Sequence, residues 1–282
     1  MRRVSNNEED AGNMSYKDKI VVVTGGANGI GRCVAEAFLA AGAQVLVLDR
    51  DEKAGRRLAE QCGPGLVFMP CDLCERSSID ACVDAIRDRS GAVDILINNA
   101  CVSAGGIASG CGWDDFMAVL AVGVVAPYYL CLRLRELFRA GASVINLSST
   151  RAFQSQRNTE SYSAAKGGIT ALTHALAMSF AGTARVNSVA PGWIDTREYR
   201  DDPPAVLPDV ADCLQHPSGR IGRPEDIAGL ILYLCGDDAS FINGQCIVAD
   251  GGISRRMIYH ADEGWVFTPP GAQPAGGGPA TG

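Results

Sequence analysis

The sequence predicts an α/β fold, a single-domain doubly wound parallel sheet with helices on both faces. Short, strongly β-branched runs recur along the chain without polar alternation, as strands buried on both faces require. Helix patterns lie between them, and strand–helix alternation implies parallel pairing through right-handed crossovers. The chain of 282 residues is long enough to bury one large core of this kind, and no linker within it marks a second domain.

Taken in order, Ile20 to Val23 reads as the first buried strand, and a glycine-rich turn leads into a helix from Arg32 to Ala41, stopped by Gly42. Gln44 to Leu48 is a strand ending at Asp49, with a helix from Lys53 to Gln61. Leu66 to Pro70 and Asp94 to Ile97 are strands on either side of a helix from Ser77 to Asp88. Trp113 to Phe138 reads as one long helical stretch before the strand Ser143 to Leu147. A helix from Ser161 to Ala181, a strand from Arg185 to Ala190, a helix from Glu225 to Leu234 and a strand from Cys246 to Ala249 complete the pattern. Residues 1–15 are expected to be a flexible lead-in to a domain spanning 16–258, with Met14 a possible alternative start. Residues 259–282 form an extension rich in Gly, Pro and Ala, expected to be disordered from about 265.

Composition narrows the function. A formal charge of −7 lacks the basic face that phosphate-backbone contact needs, so no nucleic-acid partner is expected. No apolar run is expected to reach the roughly 18 residues of a membrane span, and the charged N-terminus is not expected to be a secretory signal. The eleven cysteines are scattered through apolar segments such as those around Cys33, Cys82, Cys131 and Cys235. Cys71 and Cys74 have no second pair at zinc spacing, so reduced core thiols in a cytoplasmic protein are expected, and no metal. His174, His216 and His260 do not cluster with carboxylates, and His174 is expected to be packed or at a subunit contact.

Three groups of residues carry chemistry. Gly25, Gly29 and Gly31 lie after a strand and before a helix, where glycine allows a tight turn and close approach of backbone to a pyrophosphate at the helix N-terminus. Asp49 ends the second strand, where a carboxylate accepts from adenosine ribose hydroxyls and repels a 2′-phosphate. Asp72, after the third strand, either receives the adenine amino group or serves as an acid at a helix N-terminus. Tyr162 and Lys166, four apart, share one helix face. A free phenol ionises near pH 10, and an ammonium beside it stabilises the phenolate that a proton acceptor must become. Ser149, at the end of the Val-Ile-Asn-Leu-Ser-Ser strand, has a hydroxyl suited to polarising a carbonyl. Together these point to hydride transfer coupled to proton transfer.

With these residues the chain resembles the short-chain dehydrogenase/reductase family, of Rossmann type, over about 16–258. The matching motifs are Thr-Gly-Gly-Ala-Asn-Gly-Ile-Gly at 24–31, Cys-Asp-Leu at 71–73, Asn-Asn-Ala at 98–100 and Ser148-Ser149. Tyr162 with Lys166, Arg-Val-Asn-Ser-Val-Ala-Pro-Gly at 185–192, Gly-Arg-Pro-Glu-Asp-Ile-Ala at 222–228 and Asp-Gly-Gly at 250–252 complete the set. The resemblance implies that Ser149 positions a carbonyl, Tyr162 is the general acid/base and Lys166 binds the ribose. It implies a cofactor site of Gly25, Asn28, Gly29, Ile30, Gly31, Asp49, Asp72, Leu73, Asn98 and Ala100, with Tyr162 and Lys166. Pro191, Gly192, Ile194 and Thr196 would border the nicotinamide. Cys101, Gln154 and Trp193 are expected near the substrate, and the polar stretch from Trp193 to Gln215 reads as a lid.

The expected cofactor is NAD, because Asp49 faces the 2′ position and Asn28 stands where a basic residue would favour NADP. The expected activity interconverts a small-molecule secondary alcohol and a ketone. The alternative is a non-catalytic NAD-binding protein on the same scaffold. The resemblance implies a homo-oligomer, a homotetramer, and the apolar surface of the helices at 116–138 and 161–181 is expected to face in part a partner subunit. Two positions depart from the family pattern. Cys101 stands where Asn-Asn-Ala is usually followed by Gly. Gly123, in Val-Gly-Val-Val-Ala-Pro, stands where the family carries an Asn whose main-chain carbonyl holds a relay water.

Overall fold

A strand buried on both faces must send alternate side chains into two separate cores, and the Ile-Val-Val-Val run does so. The computed structural model describes residues 15–203, 207–259 and Asp262. The lead-in and C-terminal extension expected from sequence, with His260, lie outside the described residues except for Ser15, Tyr259 and Asp262. In β1 (Ile20–Thr24), Val21 and Val23 enter the core with Phe38 and Ile231, while Ile20 and Val22 enter the other with Val83 and Leu130. The same division runs through β2 (Gln44–Asp49), β3 (Leu66–Pro70), β4 (Val93–Asn98), β5 (Phe138–Leu147) and β6 (Ala184–Pro191), while β7 (Cys246–Ala249), at the sheet edge, packs Ile247 and Ala249 against the core that holds Phe38.

The seven strands form one sheet in the order β3-β2-β1-β4-β5-β6-β7, with every pair parallel. One core is covered by α1 (Gly29–Ala40), α2 (Glu52–Cys62) and α8 (Pro224–Cys235). The other is covered by α3 (Arg76–Ser90), α5 (Ala126–Leu134) and α6 (Glu160–Ser179). This is the expected doubly wound sheet. The strand order reverses between β1 and β4, and a crevice opens there beyond the carboxyl ends of the strands.

The long helical stretch expected to reach Phe138 is divided. It runs as α4 (Trp113–Leu120), a π-type turn Ala121–Val125, and α5, which stops at Leu134. Phe138 instead begins β5, pairing with Val93 and packing edge-on against Phe180 at 5.5 Å. The sheet captures a residue that helical periodicity would assign to the helix. The run Trp113–Leu134 is 22 residues with a mean hydropathy of 1.8 over its most apolar window, long and apolar enough to cross a membrane by length and composition. That departs from the expectation that no segment would be. Here α5 packs on α3, and α4 and the π turn pack on α6. A short helix α7 (Val210–Leu214), capped by Asp209 through the Asp212 N–H, lies in the stretch that sequence reads only as a lid.

Candidate active site

The glycine-rich turn is built by close backbone approach. Gly25 has φ +63°, and a Cβ there would lie 2.8 Å from Ala100 Cα. A Cβ on Gly31 would meet the Gly25 carbonyl oxygen at 2.2 Å and Asn99 Nδ2 at 2.4 Å. Gly31 therefore lets α1 seat against the turn and does not itself line the cleft. Asn99 braces the turn, its Nδ2 donating to the carbonyls of Thr24 at 3.0 Å and Gly25 at 2.9 Å. Thr24 Oγ1 accepts from the N–H groups of Asn99 and Ala100. These contacts hold the N-terminus of α1 open to a cleft of about 620 Å³.

At one end of the cleft stand Asp49, Arg50, Asp51, Asp72 and Leu73. Asp49 Oδ2 accepts from the Ala27 N–H at 3.0 Å, and Oδ1 from the Asp51 N–H at 3.0 Å. A carboxylate has about four acceptor positions, so Asp49 braces the turn and can still accept from a ligand. Asn28 Nδ2 donates to Asp51 Oδ2 at 3.1 Å, and Asp51 Oδ1 caps α2 through the Ala54 N–H. Asp72 Oδ1 accepts from the Cys74 N–H at 2.9 Å, closing the turn into α3.

At the other end, Ser149, Tyr162 and Lys166 line the same cleft. Lys166 is 4% exposed. Its Nζ donates to the Leu147 carbonyl at 2.6 Å and lies 5.4 Å from the Tyr162 ring centre. The Ser148 hydroxyl donates to the Lys166 carbonyl at 3.2 Å, tying the end of β5 to α6. Ser149 Oγ accepts from the Arg151 N–H at 3.2 Å and reaches the Pro191 carbonyl at 3.5 Å. The start of α6 is anchored by Ser161, whose hydroxyl donates to the Gly105 carbonyl at 2.7 Å. A hydroxyl, a phenol and a buried ammonium converge on one wall, an arrangement able to move a proton at a ligand oxygen.

Gly123 lies in the middle of the π turn. A Cβ there would be 2.8 Å from Ala165 Cβ and 4.0 Å from Cys101 Sγ, so glycine lets the turn press against α6 one residue before Lys166. Pro127 stands four residues on and has no N–H to give to the Gly123 carbonyl. The proline and the π turn take this carbonyl out of the ordinary α-helical ladder.

Of the residues expected at the site, Gly25, Asn28, Gly29, Ile30, Asp49, Asp72, Leu73, Ala100, Pro191, Gly192, Ile194 and Thr196 line the cleft, as do Cys101 and Trp193. Asn98 does not. Its side chain alternates onto the face covered by α5 and α6 and donates to Asn146 Oδ1 at 2.8 Å, leaving Asn99 toward the turn. Gln154 is also absent from the lining and is exposed beyond the 3-10 turn Thr150–Ala152. Val102, Val122 and Arg200 line the cleft without having been singled out from sequence. His174 is exposed on α6. His216 is buried, its Nδ1 2.9 Å from the Asp212 carbonyl and its ring 6.4 Å from that of Trp193.

Comparison with known proteins gives a consistent set of likenesses. The family described as enoyl-(acyl carrier protein) reductase matches residues 25–254. An uncharacterized oxidoreductase of Thermotoga maritima is 39% identical over 251 residues, 86% of this chain and 98% of its own. An apo SCOR enzyme from Clostridium thermocellum superposes with a TM-score of 0.80 at 38% identity, covering 89% of this chain and 98% of that one. A 3-ketoacyl-(acyl-carrier-protein) reductase from Brucella melitensis, solved with NADH, superposes with a TM-score of 0.76 at 28% identity, covering 85% of this chain and 100% of that one.

Proposed function

The chain belongs to the short-chain dehydrogenase/reductase family, and we propose that it is an NAD(H)-dependent oxidoreductase interconverting a secondary alcohol and a ketone. The observation that carries this reading is the convergence of Ser149, Tyr162 and the buried Lys166 in the cleft that also receives the glycine-rich turn. The cradle suits a dinucleotide, because a Cβ on Gly25 would collide with Ala100 and one on Gly31 with the Gly25 carbonyl, so that only glycine lets the turn and the N-terminus of α1 draw this close. Gly25, Gly29 and the N-terminus of α1 would hold the diphosphate, Asp49 the adenosine ribose, and Lys166 the second ribose. When bound, the nicotinamide supplies or accepts the hydride.

The protein's own part is the proton. In reduction the Tyr162 hydroxyl gives its proton to the carbonyl oxygen, leaving the phenolate, and in oxidation the phenolate takes the proton of the alcohol and becomes the hydroxyl again. The Lys166 Nζ, 5.4 Å from the centre of the Tyr162 ring, sets a positive charge beside the group that exchanges the proton. Ser149 donates to the same substrate oxygen and holds the developing alkoxide. The Gly123 carbonyl, with no donor from Pro127, can hold a water that returns the proton to solvent.

NAD is favoured over NADP because Asp49 and Asp51 both line the ribose end, against the single cation Arg50. The same reading places a homotetramer in the cytoplasm, with no nucleic-acid or membrane partner. It is supported by the exposed stripe Met117, Val125, Tyr128 and Leu132 on the α4–α5 run, by the net charge of −7 and by eleven free thiols. The test is an oxidation screen with NAD and NADP over polyols, hydroxysteroids and hydroxyacyl thioesters. Tyr162→Phe should abolish turnover while NADH binding stays within about twofold, since one hydroxyl and no charge is lost. NADH binding by the native protein without turnover across the panel would favour a non-catalytic NAD-binding protein instead.

A further inference from the structure

The segment after β6 is tied to the cofactor half of the cleft by three consecutive residues. The Tyr199 hydroxyl donates to Glu225 Oε1 at 2.6 Å, at the start of α8. Asp201 pairs with Arg57 of α2 and lies 3.6 Å from Arg32 Nη1 in the first turn of α1. Between them, Arg200 turns into the cleft, where its Nη2 lies 4.0 Å from the Cβ position at Gly29. Sequence alone reads this stretch as a movable lid over the substrate. The contacts place it instead across α1 and α2.

The charges around Arg200 are not balanced. Its Nε donates to Thr196 Oγ1 at 2.9 Å, and among the described residues it forms no ion pair with a carboxylate. The neighbouring carboxylate, Asp201, is already engaged by two arginines. A guanidinium beside a helix N-terminus faces positive partial charge, which is unfavourable unless an anion lies between them. The glycine at 29, with φ +60°, leaves room there for such an anion.

We propose that Arg200 is a phosphate-binding residue that closes over the diphosphate of the bound dinucleotide, with Asp201 as the positioning residue that latches its segment to Arg32 and Arg57. The inference rests on the dinucleotide reading above. It makes the segment after β6 a strap on the cofactor, so that coenzyme affinity and release depend on it. A guanidinium can give two charge-assisted hydrogen bonds to a diphosphate, and Lys can replace its charge but not that geometry.

The test is calorimetric titration with ADP-ribose, which carries the diphosphate without the nicotinamide, and displacement of NADH by adenosine, which carries neither. Arg200→Gln should raise the ADP-ribose Kd about tenfold and weaken its salt dependence, while adenosine binding stays within twofold. Arg200→Lys should fall between the two, and Asp201→Asn should speed NADH dissociation. An Arg200→Gln variant with an ADP-ribose Kd within twofold of native overturns the proposal. So does equal loss of adenosine and ADP-ribose, or weaker binding of NADPH with NADH unchanged, which would assign Arg200 to a 2′-phosphate. Failure of the native protein to bind either NADH or ADP-ribose would remove the dinucleotide reading itself.

Discussion

Replacing Gly123 with Asn restores the residue that the family pattern carries at this position, and the structure says that it will not fit without movement. The new Cβ would lie 2.8 Å from Ala165 Cβ, well inside contact distance, with Cys101 Sγ a further neighbour at 4.0 Å. Overpacking of this kind costs about 1–3 kcal/mol, against which Asn recovers only about 0.3 kcal/mol of helix propensity over Gly. The net loss of about 1–2.5 kcal/mol corresponds to a fall in Tm of about 2–8 °C for a domain of this size. Urea denaturation of Gly123→Asn, Ala165→Gly and the double variant forms a cycle. Ala165→Gly alone should cost about 1 kcal/mol as a helix substitution, yet in the double variant it should relieve the clash, giving a favourable coupling of about 1–2 kcal/mol. A single variant within 0.5 kcal/mol of native (roughly the background of a neutral substitution), or a cycle with no coupling, would refute the packing argument. Turnover is then best read in the double variant, where the carbonyl at 123 remains and the crowding beside Lys166 is removed. If that carbonyl is what the relay needs, the rate should stay within about threefold of native.

Three further outcomes follow from particular residues. Asp49→Ala should narrow or reverse the proposed preference for NAD over NADP in kcat/KM, because it removes a carboxylate that lines the cleft and leaves Arg50 there; an unchanged ratio would refute the role proposed for Asp49. Burial pushes the thiol of Cys131 up to about 12, which disfavours its reactive thiolate, and mass mapping after brief labelling should find exposed Cys74 modified long before buried Cys131. The Arg220 guanidinium, bound at 2.6 and 2.7 Å, holds the Asp226 carboxyl below the usual carboxylate range. Its stabilisation is therefore present above about pH 3.9, the unfolded value, and is lost as pH falls through the lower folded one. Asp226→Asn should flatten the acid limb of the stability profile below about pH 4, and an unchanged limb would show that solvent screening cancels the pair.

The central strands were legible because burial on both faces leaves a local mark, the apolar run seen in Ile20–Thr24, and all seven expected strands belong to one parallel sheet. The site was legible where chemistry and chain geometry coincide locally, as in a glycine turn after a strand or two side chains one helical turn apart. What needed the fold depended on partners distant in sequence. Phe138 left the helix for the sheet because Val93 and Phe180 were there to receive it. Asn98 turned away from the cleft for a reason that alternation could have supplied: Leu96, two residues earlier on the same face, points into the core shared with α5. Arg200 left no signal at all, since an arginine in a polar stretch reads as solvated until its segment is seen lying on α1 and α2.

Cys101 and Gly123 show how far the linear reading can mislead when departures are weighed one at a time. In sequence they are separate losses, a glycine gone from the end of β4 and a side chain gone from a helix. In the fold, the Cβ position of Gly123 is 4.0 Å from the Cys101 sulfur, which lines the cleft. The side chain gained at one position therefore stands beside the space given up at the other. A thiol makes only weak hydrogen bonds, so it can occupy part of that volume without doing the work of a carboxamide. The proposed proton relay therefore calls on the carbonyl at 123, to which Pro127, four residues on, has no N–H to give.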